Sequence, residues 1–444
     1  MAETPLYTAL KSHANLHRAS FHTPGHKNSE AMRFFNFFDL DFTELPDTDS
    51  LYEASGAIKK AEDRMSGLYG TQQTLFSAGG CTLCIQTMLK LALPYGGKIV
   101  ASRMIHKSAV NTMALLNADV RWVMPKVDEH TGLFLQVEPA DIESILAKEP
   151  DIACVYITSP DYFGHIADIA GISKVCKRHN VPLLVDNAHG AHLKFLPEDI
   201  HPITLGADLV ADSAHKTLPV LTGGALLHIA DAKFAPYARA AMSIFGSTSP
   251  SYPIMASLDV CQSWLCSNGK AAFFALQKEI SKIKEIAAQT GILDDCASVD
   301  PVRLTLDVAK IGLSGDSAAE YFRQNGIEPE LSTAERVVFI ATPMNSTVDF
   351  DQLAMAIKSL QPSGDALPVR CPTFELPIVK KSLHSALFSP SECINSCNAV
   401  GRVSAGTVCP CPPGIPILVP GELITEISVK NLLRYGIFLI DVIK

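Results

Sequence analysis

Lys216 stands in the segment Ser213-Ala214-His215-Lys216-Thr217, just past the apolar run Ala207–Asp212. Thirty residues upstream, a second apolar run, Val181–Val185, ends in Asp186. A lysine at one strand end can form a Schiff base, and an aspartate at another can hold a pyridinium nitrogen protonated. Together they are what pyridoxal phosphate chemistry requires. Either residue alone reads as a surface lysine or a strand-terminating aspartate; the pair in this setting carries the signal.

Other residues gather around the same strand ends. Ser77-Ala78-Gly79-Gly80-Cys81-Thr82 closes one apolar run and opens a helical pattern. Gly79, Gly80, Cys81 and Thr82 are therefore candidates to present backbone N–H groups, and the Thr82 hydroxyl, to a phosphate at a helix N-terminus. His106 heads the helix-like segment Lys107–Asn117, where its ring can stack on a cofactor ring. Ala188 lies two residues after Asp186, on the same face of an extended segment, and can lie flat under that ring. His189 is a further candidate contact in the same loop, although it and His192 also suit simple polar packing. Ser213 and His215 can bind the phosphate, and His215 can also move protons. Burial beside the cofactor would lower the pKa of Lys216, as imine exchange requires.

These residues need rigid elements to position them. Seven short runs alternate with helical segments: Thr74–Ser77, Lys98–Ser102, Val120–Met124, Ile152–Thr158, Val181–Asp186, Ala207–Asp212 and Ala225–Ile229. Their near-continuous apolar character predicts a mainly parallel seven-stranded sheet buried on both faces, in a three-layer α/β domain. Ligands of such sheets collect at the carboxyl ends of the strands, where these candidates lie. The predicted division is an irregular N-terminal segment over 1–50, a large domain over 51–267, a small α/β domain over 268–366 and a C-terminal unit over 367–444. A long amphipathic helix is expected over 268–290. Turns are expected at Thr23-Pro24-Gly25 and Leu45-Pro46-Asp47.

The 444 residues are 47% hydrophobic and 19% charged, which suits a substantial core, and the net charge of −9 argues against nucleic acid or anionic membrane as partner. The N-terminal residues lack a basic-then-apolar signal pattern, and no apolar run reaches the length of a membrane span. The 12 cysteines do not fall into paired ligand units with histidines, so no metal is expected. Reduced cysteines and a cytoplasmic location are expected instead.

The chain resembles the Orn/Lys/Arg decarboxylases, a pyridoxal-phosphate-dependent family of fold-type I (aspartate aminotransferase-like). The likeness runs through Ser20–Lys27, Asp41–Pro46, His106-Lys107-Ser108, Asp186–His192 and Ser213–Pro219. It continues in Ser247–Tyr252 with Ser257-Leu258-Asp259, in Pro412–Pro416 and in Pro420-Gly421-Glu422. The chain is similar to the short form that lacks an N-terminal wing domain. The resemblance implies that Lys216 carries the cofactor as an aldimine, Asp186 binds the ring nitrogen, Ala188 packs beneath the ring and His106 stacks above it. The Gly79–Thr82 loop, Ser213 and His215 would hold the phosphate. It also implies decarboxylation of lysine, arginine or ornithine to cadaverine, agmatine or putrescine, through a quinonoid, with Lys216 or His215 returning the proton. A homodimer with shared sites is implied too, in which Ser247 and Thr248 reach the neighbouring subunit. Glu330 and Glu422 are candidates to meet the substrate's distal cation.

The chain departs from the family pattern at several places. Gly80 and Cys81 stand where two adjacent hydroxyl residues are usual, removing up to two hydroxyl contacts to the phosphate. Bonds to a charged group are worth ~1–3 kcal/mol each. Asn187 replaces the glutamate of DEAHG, Gly223-Gly224 replaces a glutamine-containing segment, His384-Ser385-Ala386 replaces Arg-Glu-Ala, and Cys411 replaces an aromatic. Two other readings are transamination or elimination on the same fold, and a weakly catalytic cofactor-binding protein with a regulatory role. Arg370 and Arg402 do not form a convincing aminotransferase carboxylate site, and the intact Lys216, Asp186, His106 and His215 argue for catalysis.

Overall fold

A run of valine, leucine, isoleucine and alanine without polar alternation must be covered on both sides. The computed structural model describes residues 16, 18–21, 25, 27, 42, 44, 48–294, 299–368, 375–410 and 416–444. The expected turn at 45–47, most of the turn at 23–25, most of the motifs at 20–27 and 41–46, Arg370, and positions 411–415 lie outside those residues. In chain order the first strands are β1 (Ala19–Phe21), β2 (Gln73–Ser77), β3 (Lys98–Ser102), β4 (Asp119–Val123), β5 (Ile152–Thr158), β6 (Leu183–Asp186), β7 (Leu209–Asp212) and β8 (Ala225–Ile229). β2 to β8 form one seven-stranded sheet in the order β2-β8-β7-β6-β5-β3-β4. β8 alone runs against its neighbours, and the other pairings are parallel. All seven predicted runs are strands of this sheet, with ends displaced by two residues at most.

Helices cover both faces. The first eight are α1 (Ala57–Tyr69), α2 (Gly80–Ala92), α3 (Lys107–Leu115), α4 (Pro139–Leu146), α5 (Ile169–Arg178), the single turn α6 (Ala214–Thr217), α7 (Ala238–Ser243) and α8 (Tyr252–Gln289). Alternate residues of β3 show the layering. Ile99 and Ala101 pack with α2, α3 and α7, whereas Val100 packs with α4 and α5.

α8 runs for 38 residues and starts at Tyr252 rather than near 268. Pro253 suits a first helical turn, where its missing N–H costs nothing. Gly269 is tolerated inside it because a Cβ there would come within 3.2 Å of Phe195. The domain boundary expected at 267 thus falls within a continuous helix.

Beyond α8 comes the smaller unit, with β9 (Arg303–Asp307), α9 (Gly315–Gln324), β10 (Ile327–Pro329), β11 (Leu331–Ser332), β12 (Arg336–Ile340) and α10 (Thr347–Ser359). β11, β12 and β9 form an antiparallel sheet. β1 pairs in parallel with β10, Ala19 opposite Ile327. Part of the N-terminal segment expected to be irregular therefore adds a strand to the smaller unit. The pairing is long-range, so nothing local in the sequence announces it.

The C-terminal unit holds α11 (Leu383–Leu387), β13 (Ser391–Asn395), α12 (Glu426–Arg434) and β14 (Leu439–Ile443) around its own small apolar core. A buried ion pair ties it to the large unit. Glu422 receives both guanidinium ends of Arg103 at 2.7 Å, and the Val419 N–H at 2.9 Å. Arg103 also donates to the carbonyls of Pro416 and Ile417. This corrects the expectation for Glu422, whose charge is matched by a buried arginine and which does not line the cavity described below. Among the described residues no helix is long and apolar enough to cross a membrane.

Glu422→Ala would leave Arg103 buried and unpaired, a loss of roughly 3–5 kcal/mol. A urea melt should show that drop; a change below about 1 kcal/mol would mean that the pair does not hold the C-terminal unit in place.

Candidate active site

Five strand ends converge on one cavity of about 250 Å³. Its walls include Gly80, Cys81 and Thr82 after β2, His106 after β3, Thr158 at the end of β5 and Tyr162 beyond it, Asp186 at the end of β6 with Ala188 and His189 beyond it, and Ser213, His215 and Lys216 after β7. The parallel pairing of β5, β6 and β7 brings these ends into register, with Thr158 opposite Asp186 and Asp186 opposite Ala211. Every expected cofactor contact lines the cavity except Gly79, Ser247 and Thr248. Gly79 lies immediately before its rim, while Ser247 and Thr248 sit on an exposed loop.

Lys216 Nζ lies 3.0 Å from His189 Nε2 and 5.2 Å from the centre of the Tyr162 ring. The Tyr162 and His189 rings are packed at 4.3 Å. Burial lowers the pKa of Lys216, and the nearby Cys81, Asp186 and Glu330 only partly oppose it. Burial, reinforced by the charges of Lys216 and Arg303, holds His189 well below the ordinary histidine value. His189 is therefore neutral, and its Nε2 can accept a hydrogen bond from Lys216 Nζ. Its Nδ1 is buried without a hydrogen-bond partner among the described residues. The sequence places His189 in the site but gives no sign of this bond to Lys216.

Asp186 is fully buried. The Ala188 N–H donates to its Oδ1 at 3.1 Å and the Tyr156 hydroxyl to its Oδ2 at 3.3 Å. Burial raises its pKa, while His106 and Lys216 pull it down. A buried carboxylate with neutral donors and no cation bonded to it fits a pyridinium N–H, which would supply the missing countercharge. His106 caps α3 by accepting the Ser108 N–H, and although the residue stands at the cavity rim, partial desolvation of its ring lowers its pKa, so the ring is presented neutral.

The end of the cavity expected to take the phosphate lies at the starts of α2 and α6. Gly79 has no side chain to cap α2, so the helix opens with unfilled N–H groups. The Gly80 N–H is already taken by the Gly223 carbonyl at 2.9 Å, which gives the Gly223-Gly224 departure a structural role. The N–H groups of Cys81 and Thr82 follow it in the first turn. His215 Nδ1 lies 3.2 Å from the Gly224 carbonyl, to which it can only donate. Ser213 Oγ is 3.3 Å from the same nitrogen. This donor set fits a phosphate.

Behind the site, Asp212 is bonded by Asn187 Nδ2 at 2.7 Å and by His201 and His228 at 3.1 Å each. Burial would raise its pKa, but the two histidines outweigh it and keep the carboxylate charged. The Asn187 departure thus belongs to a buried network under the lysine turn. Gly25 covers that turn from the other side, donating its N–H to the His215 carbonyl. A Cβ on Gly25 would lie 2.3 Å from the Leu218 carbonyl oxygen, so only glycine fits.

Glu330 does not line the cavity. It acts on half-buried Lys27, whose pKa burial lowers to about 7 against the pull of Glu330. The acidic side chain that the sequence reading missed is Asp161, in the cavity wall. It accepts the Phe163 and His165 N–H groups at 2.9 Å and lies 2.8 Å from His165 Nδ1. A tight loop after β5 places it there, and its sequence carries no motif.

The family model described as Orn/Lys/Arg decarboxylase, major domain, matches residues 4–304, and that of the C-terminal domain matches 381–442. An arginine decarboxylase of Bacillus subtilis is 31% identical, over 97% of this chain and 93% of that protein. The constitutive lysine decarboxylase of Escherichia coli is 22% identical over 96% of this chain and 76% of its own length. Its solved structure superposes with a TM-score of 0.75 at 19% identity, covering 99% of this chain and 82% of that one. A Francisella novicida lysine decarboxylase gives 0.73 at 18% identity, over 89% and 73%.

Gly80 has φ +68°, so Gly80→Ser would restore a hydroxyl at a strained position, at about 1 kcal/mol. Cys81 lies within helical backbone and is the cleaner test. Cys81→Thr should lower the Kd for pyridoxal phosphate several-fold. Equal or weaker binding in a spectroscopic titration would mean that the lost hydroxyl is not what limits affinity.

Proposed function

The chain belongs to the Orn/Lys/Arg decarboxylase family, and on that premise we propose that it releases the α-carboxylate of arginine as carbon dioxide, using pyridoxal phosphate held at Lys216. Arginine is put first because the relatives near 30% identity include several named arginine decarboxylases. The observation that carries the reaction is the half-buried Lys216 amine bonded to a neutral His189, with Asp186 in the same cavity wall. When bound, the cofactor supplies an electron sink for the pair left behind by the departing carboxylate.

The chain's own residues do the rest. Burial favours the unprotonated Lys216 amine, and neutral His189 Nε2 accepts a hydrogen bond from Nζ that holds it in place. Asp186 keeps a ring nitrogen protonated, Ala188 provides a flat floor and neutral His106 a stacking surface. The first-turn N–H groups of α2, with Ser213 and His215, bind phosphate. Lys216 Nζ or the His215 ring returns a proton to the α-carbon. Thr82 and His106 are exposed at the cavity rim, as are Ser247 and Thr248 on their loop. That exposure supports a homodimer in which a second copy completes the site. Asp161 is proposed as the partner of the substrate's distal cation, with Glu330 contributing at longer range.

Carbon dioxide release should be measured with arginine, lysine, ornithine and a neutral amino acid in parallel. Arginine should be the best substrate and the neutral control inert. Lys216→Ala should abolish release, and Asp186→Ala should cut kcat more than tenfold, or about 1.4 kcal/mol. Full activity in Lys216→Ala would sink the assignment.

Selectivity gives a separate test. Asp161→Asn should raise KM for arginine by about tenfold or more with kcat little changed, as expected when ground-state and transition-state binding are lost together. An unchanged KM would exclude Asp161 as the distal anchor. In that case a raised KM in Glu330→Gln would transfer the role to Glu330.

A further inference from the structure

Arg303 opens β9 in the smaller unit, yet its side chain reaches the wall of the cavity in the large unit. It is 2% exposed, and among the described residues its ion pair with Asp300 is long, at 3.9 Å. Its guanidinium instead donates to two carbonyls, those of Tyr162 at 3.4 Å and His189 at 3.3 Å. These are the two residues whose rings flank Lys216 Nζ. The surrounding chain is shaped to admit it. Gly164 has φ +95°, and a Cβ there would lie 2.7 Å from Arg303 Cγ. The Asp300 N–H donates to the Gly164 carbonyl at 2.8 Å, and the Thr305 hydroxyl to that of Phe163 at 3.1 Å. The 162–165 loop is thus clamped to the start of β9 at several points.

We propose that Arg303 is a positioning residue: its guanidinium fork fixes the backbones of Tyr162 and His189, and so holds the His189 ring against Lys216 Nζ from the smaller unit. The inference rests on the reading of Lys216 as the cofactor-bearing amine. Arg303 also contributes a fixed positive charge beside a bond that must lose a proton. The groups facing that bond are Asp186 at the end of β6, Cys81 at the start of α2, Glu330 between β10 and β11, His106 before α3 and His215 in α6. Arg303 lowers the pKa of both His189 and Lys216. Removing its charge therefore raises both, and a reaction that needs them unprotonated fails at a higher pH.

The test is the rate at which cofactor-free protein captures pyridoxal phosphate, followed by absorbance across pH, with Lys216→Ala as the blank. Arg303→Met should move the acid limb of that profile upward by about one pH unit. Arg303→Lys keeps the charge but not the two-pronged fork. Its acid limb should stay in place while the plateau rate falls several-fold. An unmoved limb in a folded Arg303→Met, or a wild-type plateau in Arg303→Lys, would overturn the proposal. If Arg303→Met does not fold, Arg303→Lys decides alone. Capture does not depend on turnover, so absence of carbon dioxide release from the wild type would count against the decarboxylase reading without deciding the role of Arg303.

Discussion

A lysine that is to react as a free amine must be taken out of water and yet not be locked into an ion pair. Desolvation lowers its pKa, but a carboxylate in the same low-dielectric cavity pulls the pKa back up. Both conditions are met here. Lys216 bonds to His189 rather than to Asp186, although both line one cavity. Asp186 is instead held by an amide N–H and a phenol, which leaves it in need of a cation. The remaining features of the site keep these two groups buried, close and apart.

Keeping them so requires rigid strand ends. β5, β6 and β7 are parallel neighbours buried on both faces, so the residues that follow them project to the same side. The charged Asp212 network lies beneath the lysine turn, and glycine at position 25 lets the N-terminal segment close over it. Asn187 illustrates how a departure from a motif is absorbed. Its amide donates to Asp212, so a buried acid at the end of β7 is matched by a neutral donor after β6.

The smaller and C-terminal units also act on this cavity. Arg303 reaches it from β9, and Arg103, which follows β3 and immediately precedes the cavity-wall residues Met104–His106, anchors the C-terminal unit through Glu422. His384, where an arginine is usual, donates from α11 to the Ala114 carbonyl at the end of α3. A departure there alters how the units dock and leaves the cofactor cradle untouched.

Strand positions, the sheet's parallel character and the gathering of most candidate residues around one cavity were legible because each depends on local pattern. Apolar runs without alternation require two-sided burial, and reactive residue types at strand ends must gather at one edge of a parallel sheet. The start of α8 was misplaced because the amphipathic pattern is clear only in its second half, while its first half is buried against the large unit. Glu422 could be read as a substrate ligand because a carboxylate's partner is not written beside it; Arg103 lies 319 residues away. The pairing of β1 with β10, the His189–Lys216 bond, the place of Asp161 and the reach of Arg303 are of the same kind. The sequence by itself determined which reactive residue types fall at which strand ends, because residue type and strand period are local properties. Only the tertiary structure decided which charges meet, because partners distant in the chain are chosen by packing and by the cost of leaving a buried charge alone.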